Sequence, residues 1–551
     1  MTQAIEKRQK GESVKVFHQK QRRQLIALFF LFALSLSMGV HYPSEAKPQG
    51  NIHKGFGAGT EQVEILIHMA EQSDTDTIAF QAQQARSSSI DLDRWKTETR
   101  QAVAESLQKA AAEGQAALLQ YLEEKAKVGD VSEIESFFIV NMVFARVSPS
   151  LILEISERPD VKHIYPNTTV ELVEPGKDFL LALQDQGEAV SWNIAHIGAP
   201  EVWARHGIDG KGVVIGIIDT GVMLEHPAVI HSWRGQVSDI VSASYNWYDP
   251  IYQRPFPDDQ QGHGTKVAGI ILGSDQPNNI TIGAAPGAQW IAVRGLNDSG
   301  VGDRRTLLSA GQYMLAPTDS NGENPEPALA PDIVINAWGD SSGRDDWYRE
   351  MVQNWRNANI FPVFAAGNFG PIENTICNPA NYPESFAVGA TDSQNQLASF
   401  SSRGPGAYGE MIKPEIVAPG VQVFTSTPRG YGFVSGTSMS AAHIAGVAAL
   451  LIAKKPSLLA LELEEILKQT AVPLTADDYP NSPNYGFGHG LVDASAAVNR
   501  LAADLPVKFE NMLIIGNMGF TTDYIRTYRK DARVGINAAL QEDPTHLFIW
   551  A

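Results

Sequence analysis

Apolar residues recur along this chain with two different periods, and the change between them divides it. Between 63 and 167 the pattern mixes short strands with one long helix. VEILIHM (63–69) reads as a strand. Residues 91–127 place Val103, Leu107, Ala110, Leu118 and Leu122 on helical spacing, which predicts a long amphipathic helix. FFIVNMVFARV (137–147) predicts an apolar strand, and Ser148-Pro149 opens a short helix. RPDVKHIYPN (158–167) predicts a turn and a last strand. This β-α-β-α-β order predicts a small α+β (ferredoxin-like) domain over 47–175. The stretch 166–190, with its prolines and charges, reads as a linker.

From 190 to about 505 the pattern changes. GVVIGIID (212–219), WIAVRGL (290–296), DIVINAW (332–338), IFPVFAAG (360–367) and FAVGAT (386–391) are continuous Val/Ile-rich runs bounded by Gly, Pro and Asp. Strands apolar on both faces belong to a mostly parallel sheet wrapped by helices, which predicts an α/β domain. The extension 506–551 suggests no role.

Composition fits a globular protein, with 43% hydrophobic and 19% charged residues among 551. A net charge of −19 argues against nucleic acid as a partner. One cysteine, Cys377, excludes an internal disulfide and reads as a small buried hydrophobe. The first 23 residues hold Lys7, Arg8, Lys10, Lys15, Lys20, Arg22 and Arg23, and LIALFFLFALSLSMGV (25–40) follows. A basic flank before a short apolar run predicts export, as a signal peptide over 1–46 cut near Ser44-Glu45-Ala46 or as an uncleaved membrane anchor.

In a doubly wound sheet, chemistry gathers beyond the C-terminal ends of the strands. Asp219 closes GVVIGIID and is followed by Thr220-Gly221. His263 sits in GHGTKVAG (262–269), just before a helical stretch. Ser438 lies in GTSMSAAHIAG (436–446), where taken alone it reads as a helix cap. Together the three supply nucleophilic acyl transfer: a hydroxyl, an imidazole to take its proton, and a carboxylate to hold the imidazole's tautomer.

DTG, HGT and GTSM in this order resemble the subtilisin-like serine proteases, the subtilase family, whose known chain order is Asp…His…Ser. AAGN (365–368), FSSRGP (400–405), KPEIVAPG (413–420) and GHGLVDASAAV (488–498) extend the resemblance over about 190–505, and SWNIAHIGAPEVWARHGIDGKGV (191–213) adds to it. The resemblance implies a three-layer subtilisin-like fold and a secreted serine endopeptidase with Asp219, His263 and Ser438 as triad. It implies an oxyanion hole from Asn368 and the Ser438 backbone N–H. Extended peptide substrates would pair with Gly300, Val301 and Gly302 on one side and Ala337, Trp338 and Gly339 on the other, with Ala365-Ala366-Gly367 walling the primary pocket. The N-terminal domain would be a propeptide that assists folding, inhibits, and is cut within about 167–188. The resemblance implies a monomer whose chemistry needs no cofactor. Structural calcium is possible, with Asp258, Asp259, Asp298 and Asp303 as candidate ligands by residue type alone. Three positions depart from the family pattern: Lys266 where a second His is usual, Ala442 where Pro is usual, and Ala337 where Ser is usual.

Two rival readings remain open. Gly339-Asp340-Ser341-Ser342-Gly343 matches G-x-S-x-G after a strand, which would make Ser341 the nucleophile of an α/β-hydrolase-type esterase with His489 or His546 as base. That leaves HGT, AAGN and GTSM unexplained. An inactive subtilisin-like binding module is the other, and no triad position is lost to suggest it.

Overall fold

The computed structural model describes residues 61–86, 92–172, 190–237 and 240–502, with two short paired strands at 513–514 and 548–549. The segment 1–46 expected to direct export, the stretch 173–189 and the rest of 506–551 lie outside the described residues. The stretches 61–172 and 190–502 fall in one compact unit.

The N-terminal part runs β1 (Val63–Met69), α1 (Thr75–Arg86), α2 (Leu92–Ala126), β2 (Val131–Phe137), β3 (Met142–Val147), α3 (Leu151–Ser156), β4 (Val161–Pro166) and β5 (Thr169–Glu171). Its sheet has the order β2-β3-β1-β4, with antiparallel neighbours. This is the ferredoxin-like arrangement, and α2 covers one face through Leu118 and Leu122. Three expectations are corrected. The run 137–147 is not one strand: Phe138–Asn141 turn between β2 and β3, with Asn141 at φ 41°. Helix α1 was not expected. Residues 169–171, read as linker, form β5.

In the second part, β6 (Val214–Asp219), β7 (Trp247–Tyr248), β8 (Gln289–Arg294), β10 (Ile333–Asn336), β11 (Phe361–Ala365), β12 (Phe386–Thr391) and β13 (Ile416–Pro419) form a seven-stranded sheet. Its order is β13-β12-β11-β10-β6-β8-β7, and every pairing is parallel. Strand β9 (Val301–Asp303) stands outside this sheet. Helix α4 (His263–Leu272) packs on one face of this sheet, and α5 (Arg304–Leu315) and α6 (Arg349–Asn357) pack on the other. Helix α7 (Thr437–Lys454) runs through the core with Ala, Val and Leu buried almost all round. Burying apolar surface on both sheet faces makes two large clusters, one through α4 and α7 and one through α5 and α6.

The ferredoxin-like sheet docks on α5 and α6. Arg305 pairs with Glu133 (2.8 Å) and Glu135 (2.6 Å), and Gln312 Oε1 accepts the N–H of Phe138 (2.7 Å). On α6, Glu350 meets His68 (2.9 Å) and Lys162 (3.2 Å), while Asn354 Nδ2 donates to Ile139 O (2.6 Å). Burial opposes ionisation of Glu350, yet His68 and Lys162 hold its carboxyl down at about 2. Arg86 of α1 pairs in bidentate fashion with Glu462 (2.7 and 2.8 Å), and Arg100 of α2 reaches Asp332 (3.0 Å).

Candidate active site

Asp219 ends β6 and is 1% exposed. His263 is the first residue of α4 and is also buried. Its Nδ1 lies 2.9 Å from each Asp219 carboxylate oxygen. A carboxylate can only accept, so Nδ1 carries the proton and Nε2 is left as the basic nitrogen. The Thr220 N–H donates to Asp219 Oδ1 (2.7 Å), which fixes the carboxylate. The glycine of HGT has a packing reason. A Cβ on Gly264 would stand 1.9 Å from the Gly221 carbonyl oxygen, so only glycine lets α4 start this close to the turn after Asp219.

A second carboxylate stands behind this couple. Asp259 is fully buried. Its Oδ1 accepts from Thr220 Oγ1 (2.8 Å) and Gly262 N (2.7 Å), and its Oδ2 accepts from Thr265 N (2.9 Å) and Thr265 Oγ1 (2.7 Å). It therefore ties the turn carrying Asp219 to the helix start carrying His263. Burial pushes its carboxyl above the ordinary range, against the pull of these donors.

Ser438 is the second residue of α7, and the N-cap is Gly436 with no side-chain cap bond. The helix-cap reading of Ser438 is thus corrected: its Oγ donates to the Ala337 carbonyl (3.1 Å). Asn368 Oδ1 accepts from Thr437 N (2.9 Å) and Thr437 Oγ1 (3.0 Å). A backbone N–H can only donate, so the amide oxygen faces Thr437 and the amide nitrogen points to the other side. Asn368 and Ser438 line one pocket together with Ala337–Gly339, Ala365, Gly367, Thr437 and Cys377. Sequence reasoning missed Cys377 here. It is buried, and burial pushes its thiol up to about 12.

The residues expected to hold substrate are brought to two edges. Gly300–Gly302 are already paired: β9 runs antiparallel to β5, with Val301 opposite Glu171, Gly302 opposite Val170 and Asp303 opposite Thr169. Leu172 N donates to Gly300 O (2.9 Å). The chain's own N-terminal part thus supplies a strand along this edge. Ala337, Trp338 and Gly339 form the rim beside Ser438.

The proposed calcium ligands do not fit a metal. Asp258 and Asp298 pair with Arg254 and Arg294. Asp259 is spent as described, and Asp303 caps α5 through Thr306 N (2.8 Å). Among the described residues no group of three or more His, Cys, Asp or Glu gathers for a metal ion. Ser341 is exposed in an irregular loop, and α6 begins only at Arg349. A strained strand-to-helix elbow is absent there, which removes the structural basis of the esterase reading. The departures are accommodated: Lys266 lies in α4 with its carbonyl accepting from Thr425 Oγ1 (2.8 Å), and Ala442 is buried in α7. The next residue, His443, bonds Asn193 (2.8 Å) and Met439 O (2.8 Å), and burial lowers it to about 4.

A parallel α/β sheet with an Asp–His couple at the end of β6, and a serine at a buried helix start bonded to the residue that follows the neighbouring strand β10, defines a serine hydrolase of subtilisin-like build. The subtilase family profile matches residues 210–490, and the chain belongs to that family of subtilisin-like serine proteases. It is 40% identical over 462 residues to bacillopeptidase F of Bacillus subtilis, covering 81% of this chain and 32% of that protein. It is 33% identical over 313 residues to subtilisin DY of Bacillus licheniformis, covering 56% of this chain and 99% of that protein. With the serine protease AprX of Bacillus subtilis it shares 30% over 386 residues, 65% of this chain and 79% of that protein. The chain thus spans about a third of the length of bacillopeptidase F.

Proposed function

We propose that this chain is an exported serine endopeptidase made as a self-processed zymogen, with Asp219, His263 and Ser438 as its triad. The observation that carries the reading is the His263 imidazole held by both Asp219 oxygens, together with a pocket shared by Ser438 and Asn368. A substrate N–H donating to the Ala337 carbonyl would take the acceptor that Ser438 now uses. The serine proton is then free to pass to His263 Nε2 as Oγ attacks the scissile carbonyl carbon. The oxyanion forms beside the Asn368 amide and the Ser438 N–H. The α7 N-terminus adds its dipole there. Collapse expels the amine, which takes the proton from His263, and water removes the acyl group by the same steps in reverse. The pairing of β5 with β9 supports a propeptide role for the N-terminal part, because it puts the chain's own strand where a peptide substrate would add one.

The test is the size of the secreted product with a covalent serine-hydrolase probe. Wild type is expected to lose its first ~170 residues and to label. Ser438→Ala is expected to stay full-length and unlabelled. Maturation and labelling of Ser438→Ala would refute the reading.

A further inference from the structure

We propose that the cleft selects substrates bearing a side-chain acceptor oxygen, glutamine or glutamate, at the position that pairs with Gly302, and that Arg304 reads it. This rests on the protease reading above. Val170 marks the position. It lies opposite Gly302, is 1% exposed, and packs in one cluster with Leu296, Leu307, Trp338 and Trp347. Gly302 keeps the subsite floor low: a Cβ there would meet the Gly295 carbonyl oxygen at 2.4 Å. Arg304, two residues after Gly302, opens α5, and its guanidinium lies against Trp347, which belongs to the same apolar cluster as Val170. Its backbone N–H donates to Thr168 O (3.2 Å), which continues the pairing register.

The Arg304 guanidinium is 3% exposed and lies between the Tyr165 ring (5.6 Å) and the Trp347 ring (5.1 Å). One nitrogen, Nη2, pairs with Asp345. Nε and Nη1 meet no acceptor, and neither do the indole N–H groups of Trp338 and Trp347. These two rings flank Tyr348 at 5.4 and 4.8 Å. Buried donors are almost always paired, and leaving them unpaired is costly. The N-terminal part places the Tyr165 ring over the guanidinium and Val170 in the same apolar cluster, and the four N–H groups still have no acceptor. When Tyr165 leaves, a substrate acceptor can satisfy what the propeptide does not. Asp345 already neutralises the guanidinium, so an amide oxygen serves as well as a carboxylate.

The test is a positional scan with mature enzyme and fluorogenic peptides that differ only in Val, Leu, Gln, Glu or Lys at each upstream residue. At one position Gln and Glu are expected to exceed Val in kcat/KM by about tenfold, and Arg304→Met is expected to erase the difference. Val or Leu preferred to both Gln and Glu at every position would overturn the proposal, as would an unchanged preference in Arg304→Met. Should Arg304→Met fail to mature, Val170→Gln in the full chain gives the answer without touching Arg304. That substitution is expected to slow activation, and faster activation would overturn the proposal. Failure of every peptide to turn over, with no labelling of Ser438, would fault the protease reading. Turnover with an apolar preference faults this subsite alone.

Discussion

Asp259 is the most informative residue to change, because it touches neither substrate nor His263 and yet joins the two segments that carry the couple. Replacing it with asparagine keeps the shape and exchanges one acceptor oxygen for an –NH₂ group. The threonine hydroxyls can rotate to accept from that group, but a backbone N–H cannot. Whichever way the amide turns, either Gly262 N or Thr265 N faces a donor. A buried N–H left in that state costs about 1–3 kcal/mol. Asp259→Ala removes acceptors from four donors and is expected to cost about 3–5 kcal/mol. Stability is measured by guanidinium unfolding in a Ser438→Ala background, where self-digestion cannot distort the curve. Activity is measured in the single variant. Thr220 flanks Asp219 and Thr265 lies two residues beyond His263, so a shift of about 1 Å in either is expected to lower kcat/KM by about 10²-fold. An Asp259→Asn protein within about 0.5 kcal/mol of wild type, with unchanged kcat/KM, would refute this account of the residue.

Other expectations follow from the same geometry. Asn368→Ala is expected to lower kcat by about 10²–10³ with KM little changed, the size seen for the equivalent oxyanion donor in subtilisin. A change confined to KM would contradict an oxyanion role. Ser341→Ala is expected to keep full activity, and its loss would revive the esterase reading. Cys377 is expected to resist a thiol reagent at pH 8 while the protein is folded and to react once per chain on unfolding, because burial holds its pKa at about 12. Rapid labelling of the folded enzyme would contradict that. Glu350 is depressed from 4.5 to about 2 by its pairing. A depressed acid stabilises above its ordinary value and loses that contribution as pH falls toward the lower one. Protease sensitivity of the docked N-terminal part in Ser438→Ala is therefore expected to rise as pH drops from about 4.5 to 2. Glu350→Gln is expected to flatten that rise, and an unaltered profile would remove Glu350 as its cause.

The parallel sheet was legible because each central strand is apolar on both faces, a pattern few other structures share. The Asp219–His263 pairing was legible because each residue lies in a short glycine-bearing motif that resembles the subtilase pattern. The rest was hidden for physical reasons. In β2, VSEIESF interleaves glutamates because one of its faces meets α5, where Arg305 and Ser309 take them up. β5 is polar on two of its three residues because Thr169 and Glu171 face solvent and only Val170 is buried, and its partner strand lies about 130 residues away. Asp259 suggested calcium by type alone, since its donors come from Thr220 as well as from its own loop. Arg304 and Cys377 belong to no motif. Their importance arises only where distant segments close the cleft.

If β5 blocks the cleft as proposed, its pairing with β9 also sets a timescale. While the two strands belong to one unbroken chain, the cleft would face that strand at an effective concentration on the order of millimolar. Even a loosely held strand then keeps the cleft covered. Once the backbone between 172 and 190 is cut, that local supply ends and the strand becomes an ordinary solute. Re-covering then depends on how many detached fragments share the surrounding volume. Dilution after export would thus act as the clock, and the same molecule would awaken sooner in open medium than in a confined space.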